Sequence, residues 1–193
     1  MIQPMFTPVD VAHWPDLSGT EKLVDVVIYD KIRWDREARC ADLLEPLKAH
    51  LDQQGLTYTV LRYGHHHLSQ FKEALGSSGA LVFICEHEAQ GIAYQEALAS
   101  GIPVLAWDEG RLRDPRQAAL APEGLVVSSV PYFDNRCGMT FKIADLTESF
   151  DQFWSRREAY RPRDYISEAL SPAAGARRYL DLLDAAKARA TYS

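Results

Sequence analysis

The stretch Ala80–Asp108, ALVFICEHEAQGIAYQEALASGIPVLAWD, decides the fold. Ala80–Cys85 is a short apolar run rich in branched and aromatic residues, the pattern of a strand covered on both faces. Glu86, His87, Glu88 and Gln90 interrupt it, at the point where a parallel strand delivers its ligand-facing loop. Gly91 opens a helix, Gly101 closes it and Pro103 prevents its continuation. Val104–Trp107 then starts a second buried strand.

Working outward, the same alternation repeats. Leu23–Tyr29 (LVDVVIY) reads as a strand, with Asp30, Lys31, Arg33 and Trp34 in the loop beyond it. Arg36–Gln54 carries apolar residues at helical spacing, and Pro46 kinks that helix or restarts it as a first-turn proline. Leu56–Leu61 is a strand that runs into Arg62, Tyr63 and Gly64; Leu68–Leu75 is a short helix ended by Gly76. Glu109–Gly124 is polar and irregular, Leu125–Val130 reads as another short strand, and Val130–Gly138 as a loop with aromatics. Phe150–Trp154 and Tyr179–Ala186 carry helical patterns separated by breaks at Pro162 and Pro172. Strands alternating with helices make βαβ units, hence an α/β fold with a doubly wound parallel sheet. Ligands of such sheets sit outside the strands' carboxyl ends, where charge and glycine gather in this chain.

Composition narrows the function. The 193 residues are 47% hydrophobic and 25% charged, ordinary for one sizeable core. A net charge of −6 favours neither nucleic acid nor an anionic membrane as partner. No apolar run is long enough to span a bilayer, and the N-terminus has no signal-peptide pattern. Cys40, Cys85 and Cys137 are scattered and odd in number, as expected of reduced thiols in a cytoplasmic protein.

The run from Glu88 to Val104 resembles the signature of retaining GT-B glycosyltransferases of the family 4-like group. Glu88 and Glu96 match its two carboxylates, with seven residues between them, Gly91 a glycine of its turn, and Ala97 with Gly101-Ile102-Pro103-Val104 its small-residue helix and exit. The resemblance covers roughly Pro8 to Tyr160. It implies a single Rossmann-like sheet, one half of a GT-B fold, with C-terminal helices. It divides the chain into an interdomain-linker-like leader (1–20), a nucleotide-sugar-binding domain (21–160) and a helical extension (161–193). It also implies that Glu96 takes the ribose hydroxyls, Glu88 the donor sugar's hydroxyls, and Lys31 and Arg33 the phosphates. Pro8-Val9-Asp10 with His13-Trp14-Pro15 resembles the family's interdomain linker, so the acceptor half would come from a separate N-terminal chain or another copy.

The physics of the residues accords with that implication. A helix starting at Gly91 directs free N–H groups and a partial positive charge at a bound diphosphate. Carboxylates accept hydrogen bonds in pairs, which suits vicinal hydroxyls. The expected site therefore comprises Glu88 and His87 as catalytic candidates, with Lys31, Arg33, Tyr63, Gly64, Gln90, Gly91, Ile92 and Glu96 binding the nucleotide. The nucleotide sugar is a substrate, so neither resident cofactor nor metal is expected. Consecutive His65, His66 and His67 do not converge as metal ligands.

Two other functions compete. A non-catalytic nucleotide or nucleotide-sugar module would share the same site. A dinucleotide-dependent enzyme would carry Gly-x-Gly-x-x-Gly after the first strand, where Tyr29-Asp30-Lys31-Ile32-Arg33 stands instead.

Overall fold

The computed structural model of the protein describes residues 4–190. The ends of the expected leader and of the expected C-terminal extension lie outside the described residues. A five-stranded parallel sheet forms the centre: β1 (Val24–Lys31), β2 (Tyr58–Arg62), β3 (Ser78–Cys85), β4 (Val104–Trp107) and β5 (Gly138–Phe141), in spatial order β2-β1-β3-β4-β5. The direction of winding reverses between β1 and β3, whose register aligns Tyr29 with Phe83 and Lys31 with Cys85. That reversal is the topological switch point where ligands of open α/β sheets sit.

Each strand sends alternate residues to opposite faces, and both faces are covered. Val27, Tyr29, Leu81, Phe83 and Cys85 meet α3 (Leu68–Ser77) and α4 (Ile92–Ala99). Val26, Ile28, Val82, Ile84 and Trp107 meet α2 (Glu45–Gln53) and α6 (Leu146–Arg156). Between β1 and α2 lie a short α1 (Arg36–Arg39) and a π turn (Cys40–Leu44), the backbone staying helical throughout, and Pro46 follows the π turn as the second residue of α2. Asp30, 2% exposed, accepts both arms of Arg36 at 2.9 and 2.5 Å, which fixes the start of α1 to the end of β1.

The first helix after the central strand is unusual in having no polar face. Tyr94, Gln95, Ala97, Leu98 and Ala99 of α4 are all buried, because the sheet lies on one side and the C-terminal segments on the other. Its alanines keep those layers close. The leader crosses here too. Val9 N donates to Leu170 O at 2.9 Å and Leu17 N to Ser100 O at 2.8 Å. The Arg163 guanidinium, from α7 (Pro162–Tyr165), donates to the carbonyls of Trp14, Val11 and Ala99. Gly175, early in α8 (Pro172–Ala190), faces Pro8 so closely that a Cβ would strike the proline ring.

Two elements differ from the sequence-based expectation. Leu125–Val130 is irregular rather than a strand: Val126 is 78% exposed, and the free edge of β4 is already occupied. The occupant is β5, paired from Val104↔Gly138 to Trp107↔Phe141. Gly138 adopts φ +143°, and a Cβ there would strike the Val104 carbonyl, so the approach of β5 requires glycine. A third, smaller difference is a helical turn inside the irregular region, α5 (Pro115–Ala118), capped by Asp114. Gly76 lies inside α3 rather than ending it.

Candidate functional site

The polar turn after β3 is built around two carboxylates that face opposite ways. Glu86, buried, turns toward the β1 loop: its Oε1 accepts the backbone N–H groups of Arg33 at 2.9 Å and Trp34 at 3.1 Å. Glu88 turns toward the α3 and α4 face, where the Lys31 ammonium donates to its Oε1. Both side chains of this pair are nearly out of water, at 13% and 12% exposure. The Cys85 thiol also lies 3.3 Å from Glu88 Oε1, and Lys31 Nζ stands 4.5 Å above the Tyr63 ring. Behind the turn, Glu88 N donates to Ser128 O at 2.9 Å, so the irregular 109–130 segment backs the site.

Gly91 sits at φ +74° as the N-cap of α4, a backbone region glycine enters without strain; a Cβ would also strike the Tyr94 ring. No side chain caps this helix, so its first-turn N–H groups meet the site uncovered. Tyr94 is itself fixed by hydrogen bonds to the backbone of Tyr132 at 3.2 and 3.1 Å, which makes Tyr132 part of the wall behind α4. Ile92, the first residue of α4, is exposed. Glu96, one turn further along α4, is half-buried; its carbonyl accepts from Ser100, and its carboxylate makes no hydrogen bond among the described residues.

Electrostatics separate these groups. Burial pushes the Glu96 carboxyl up to about 7, with Lys72 opposing it. Burial, then the Glu88 charge, pushes the Cys85 thiol up to about 12, so it is not a thiolate nucleophile at neutral pH. His87 is lowered, first by burial and then by the Arg33 guanidinium, and its imidazole is neutral in neutral solution. The Glu96 shift has a consequence for folding. Its carboxyl binds a proton more tightly folded than unfolded, so its contribution to stability is full below about pH 4.5 and is lost as pH rises through about 7. Urea unfolding of wild type and Glu96→Gln at about pH 5 and about pH 8 should show a steeper decline with pH in wild type. Parallel pH dependences would contradict it.

The expected site residues thus fall into two groups. Lys31, Tyr63 and Glu88 touch one another at the β1–β3 switch point, Gly91 opens α4 three residues after Glu88 with Glu96 further along that helix, and Gly64 (φ +77°) lies in the turn after β2. Arg33, Gln90 and His87 have structural partners. Arg33 donates to His87 O at 2.6 Å and lies over the Trp34 ring at 4.4 Å. Gln90 holds the leader, accepting from Thr7 N at 2.7 Å and donating to Met5 O at 3.1 Å. The His87 ring stacks on Trp34, centroids 5.0 Å apart, with its Nε2 buried and unbonded. Glu86 and Trp34 were not singled out from sequence as site residues. For Glu86 the available signal was a carboxylate closing an apolar strand, which a buried acceptor explains better than a solvated charge. The histidine run is structural as well: His66 meets Tyr29 edge-on and His67 caps α3. Among the described residues no cluster of His, Cys, Asp and Glu converges on a metal position, and no helix is long and apolar enough to cross a membrane.

No protein-family model matches this sequence, and no curated protein does. Solved structures do match. The chain superposes on the GtfA/B complex with a TM-score of 0.58 at 14% identity, covering 92% of this chain and 38% of that one. On the lipopolysaccharide outer core galactosyltransferase WaaB the TM-score is 0.57 at 13% identity, with 95% and 56% covered. On S. aureus TarM, in complex with fondaparinux, α-GlcNAc-glycerol and UDP, it is 0.59 at 16% identity, with 94% and 40% covered. These neighbours are GT-B glycosyltransferases, and the fold of this chain is that of one of their Rossmann-like halves. The chain spans between 38% and 56% of their lengths.

Proposed function

We propose that this chain is the nucleotide-sugar-binding half of a retaining glycosyltransferase, acting in the cytoplasm with an acceptor-binding half from a second domain or chain. One observation carries the reading: Lys31 pairs with Glu88 at the switch point of the sheet, three residues before the uncapped N-terminus of α4, the helix that carries Glu96. A nucleoside diphosphate sugar supplies a complement to each. Its phosphates suit the Lys31 ammonium and the N–H groups after Gly91, and its ribose and sugar hydroxyls suit Glu96 and Glu88. An incoming diphosphate gives Lys31 a second anionic partner and frees Glu88 to accept from the sugar.

During transfer, the bond from the anomeric carbon to the diphosphate oxygen breaks, and negative charge grows on that oxygen. Lys31 and the α4 dipole stabilise the growing charge without moving far, because both are fixed beforehand. Arg33 adds positive charge from behind the turn, while its bond to His87 O holds the turn's shape. His87, a neutral ring under Trp34, serves the same positioning role. The donor is consumed as substrate, and the reading needs no resident cofactor.

The test is calorimetric titration with UDP-, GDP-, ADP- and TDP-sugars. One of them should bind, and Glu96→Gln, which keeps the side-chain volume, should lower its affinity by about 1.5–3 kcal/mol. Binding by none of the four, or equal affinity in the variant, would remove the site from the account.

A further inference from the structure

A cavity of about 550 Å³ lies at the amino-terminal end of the sheet, where Gly79 of β3 and Pro103, just before β4, line it. The Glu88 turn lies beyond the other end of β3, roughly 20 Å away at about 3.3 Å per residue. The remaining wall comes from two segments far apart in sequence. The end of the leader brings Asp16 and Lys22, and the stretch from the end of α6 into α7 brings Arg157, Arg161 and Arg163. Four cations thus line the cavity with only three carboxylates, those of Asp16, Glu158 and Asp164, in a chain whose net charge is −6.

The pairing of these charges is uneven. Arg157 meets Glu158 at 3.2 Å, and Asp16 Oδ1 accepts from the N–H and hydroxyl of Ser18. Lys22, Arg161 and Arg163 form no ion pair among the described residues; their partners are neutral oxygens. Lys22 Nζ donates to Leu17 O at 2.7 Å and to Thr20 Oγ1 at 2.9 Å, which leaves one ammonium proton over. Arg161 Nη1 donates to the carbonyls of Glu158 and Tyr160 at 2.8 and 2.7 Å. Its Nε and Nη2 have no acceptor among the described residues. Burial lowers the half-buried Lys22 ammonium, with Asp16 opposing, so an anion beside it restores what burial takes away.

We propose that this cavity is a second binding site, which takes a phosphate-bearing small molecule with Lys22 and Arg161 as its cationic donors. A carboxylate is served in full by one guanidinium fork. A phosphate monoester presents three acceptor oxygens in different directions. That suits leftover donors from two separate segments, with the fixed charge of Arg163 in the same wall. The volume falls in the range of small-ligand pockets, about 300–1,000 Å³, and exceeds what a bare ion fills. This site is independent of the donor turn and stands or falls without it.

The test is amide shift mapping of the full chain with glycerol 3-phosphate, inorganic phosphate and glycerol, at constant ionic strength set with chloride. Glycerol 3-phosphate should give saturable shifts at 16–22, at Gly79 and Gly101, and at 157–164; glycerol should give none. Inorganic phosphate should bind the same residues, and no more tightly. Lys22→Gln and Arg161→Gln should each lower the ester's affinity about tenfold while keeping the wild-type unfolding midpoint. Two variants in separate segments guard against one that fails to fold. Saturable shifts confined to 88–92 would put phosphate at the donor turn alone and overturn the proposal. So would shifts that never saturate, an equal response to glycerol, or wild-type affinity in either folded variant. Tighter binding of free phosphate than of the ester would overturn the choice of ligand.

Discussion

Given a nucleotide sugar and an acceptor, the 193-residue chain alone is expected to bind the donor and to transfer almost none of its sugar. The described residues build one sheet, and the candidate groups come from its strand ends, the loops beyond them and α4, so they can hold a donor from one side only. Transfer also requires an acceptor oxygen held against the anomeric carbon with water kept out. Orienting two reactants in this way lowers a barrier by about 7–11 kcal/mol in well-arranged cases, a factor of roughly 10⁵ to 10⁸ in rate. The measurement is product formation by the purified chain with and without a candidate acceptor-binding partner. Turnover by the chain alone at the rate of the combined sample would contradict the expectation.

The second large effect concerns a residue that touches no ligand. Glu86→Ala is expected to destabilise the fold by about 2–4 kcal/mol, because the Arg33 and Trp34 N–H groups lose their shared acceptor in a largely dry position. Nucleotide affinity should fall with it. The same acceptor ties the β1 loop to the β3 turn, and Arg33 holds His87 O only while that loop stays in place. Glu86→Gln keeps an oxygen at the acceptor position and should recover most of the stability. Urea unfolding separates the outcomes: an alanine variant as stable as wild type would mean that the N–H groups find water instead.

The legibility of this chain followed the range of its interactions. β4 starts and ends where the Val104–Trp107 run does, because an apolar run between Pro103 and Asp108 has its limits written locally. Pro46 was legible only as a disturbance, a kink or a restart, and the structure meets it with a π turn at Cys40–Leu44 just before α2. β5 was hidden for the opposite reason. Four residues opening on glycine give no strand pattern, and what makes them a strand is the edge of β4, 34 residues earlier by the pairing of Val104 with Gly138. Leu125–Val130 had the better strand sequence and lost that edge, being held instead through Ser128 to Asp108 and Glu88.

The site divided along the same line. Gly91 could be assigned to the turn from spacing alone, and its positive φ agrees with that placement. Side-chain direction could not be read in this way. Glu86 and Glu88 are two positions apart, yet one serves the β1 loop while the other meets Lys31, 57 residues away in sequence. Gln90 looked like part of the ligand turn, but the leader's return across α4 gives it Thr7 and Met5 as partners.

The central claim concerns where the donor lies, and a crystal structure of the chain with the nucleoside diphosphate it binds tests that most directly. The account predicts the diphosphate against the N–H groups following Gly91, Lys31 contacting a phosphoryl oxygen, and the ribose hydroxyls on Glu96. A nucleotide found elsewhere on the chain, with Glu96 and the start of α4 untouched, would contradict it.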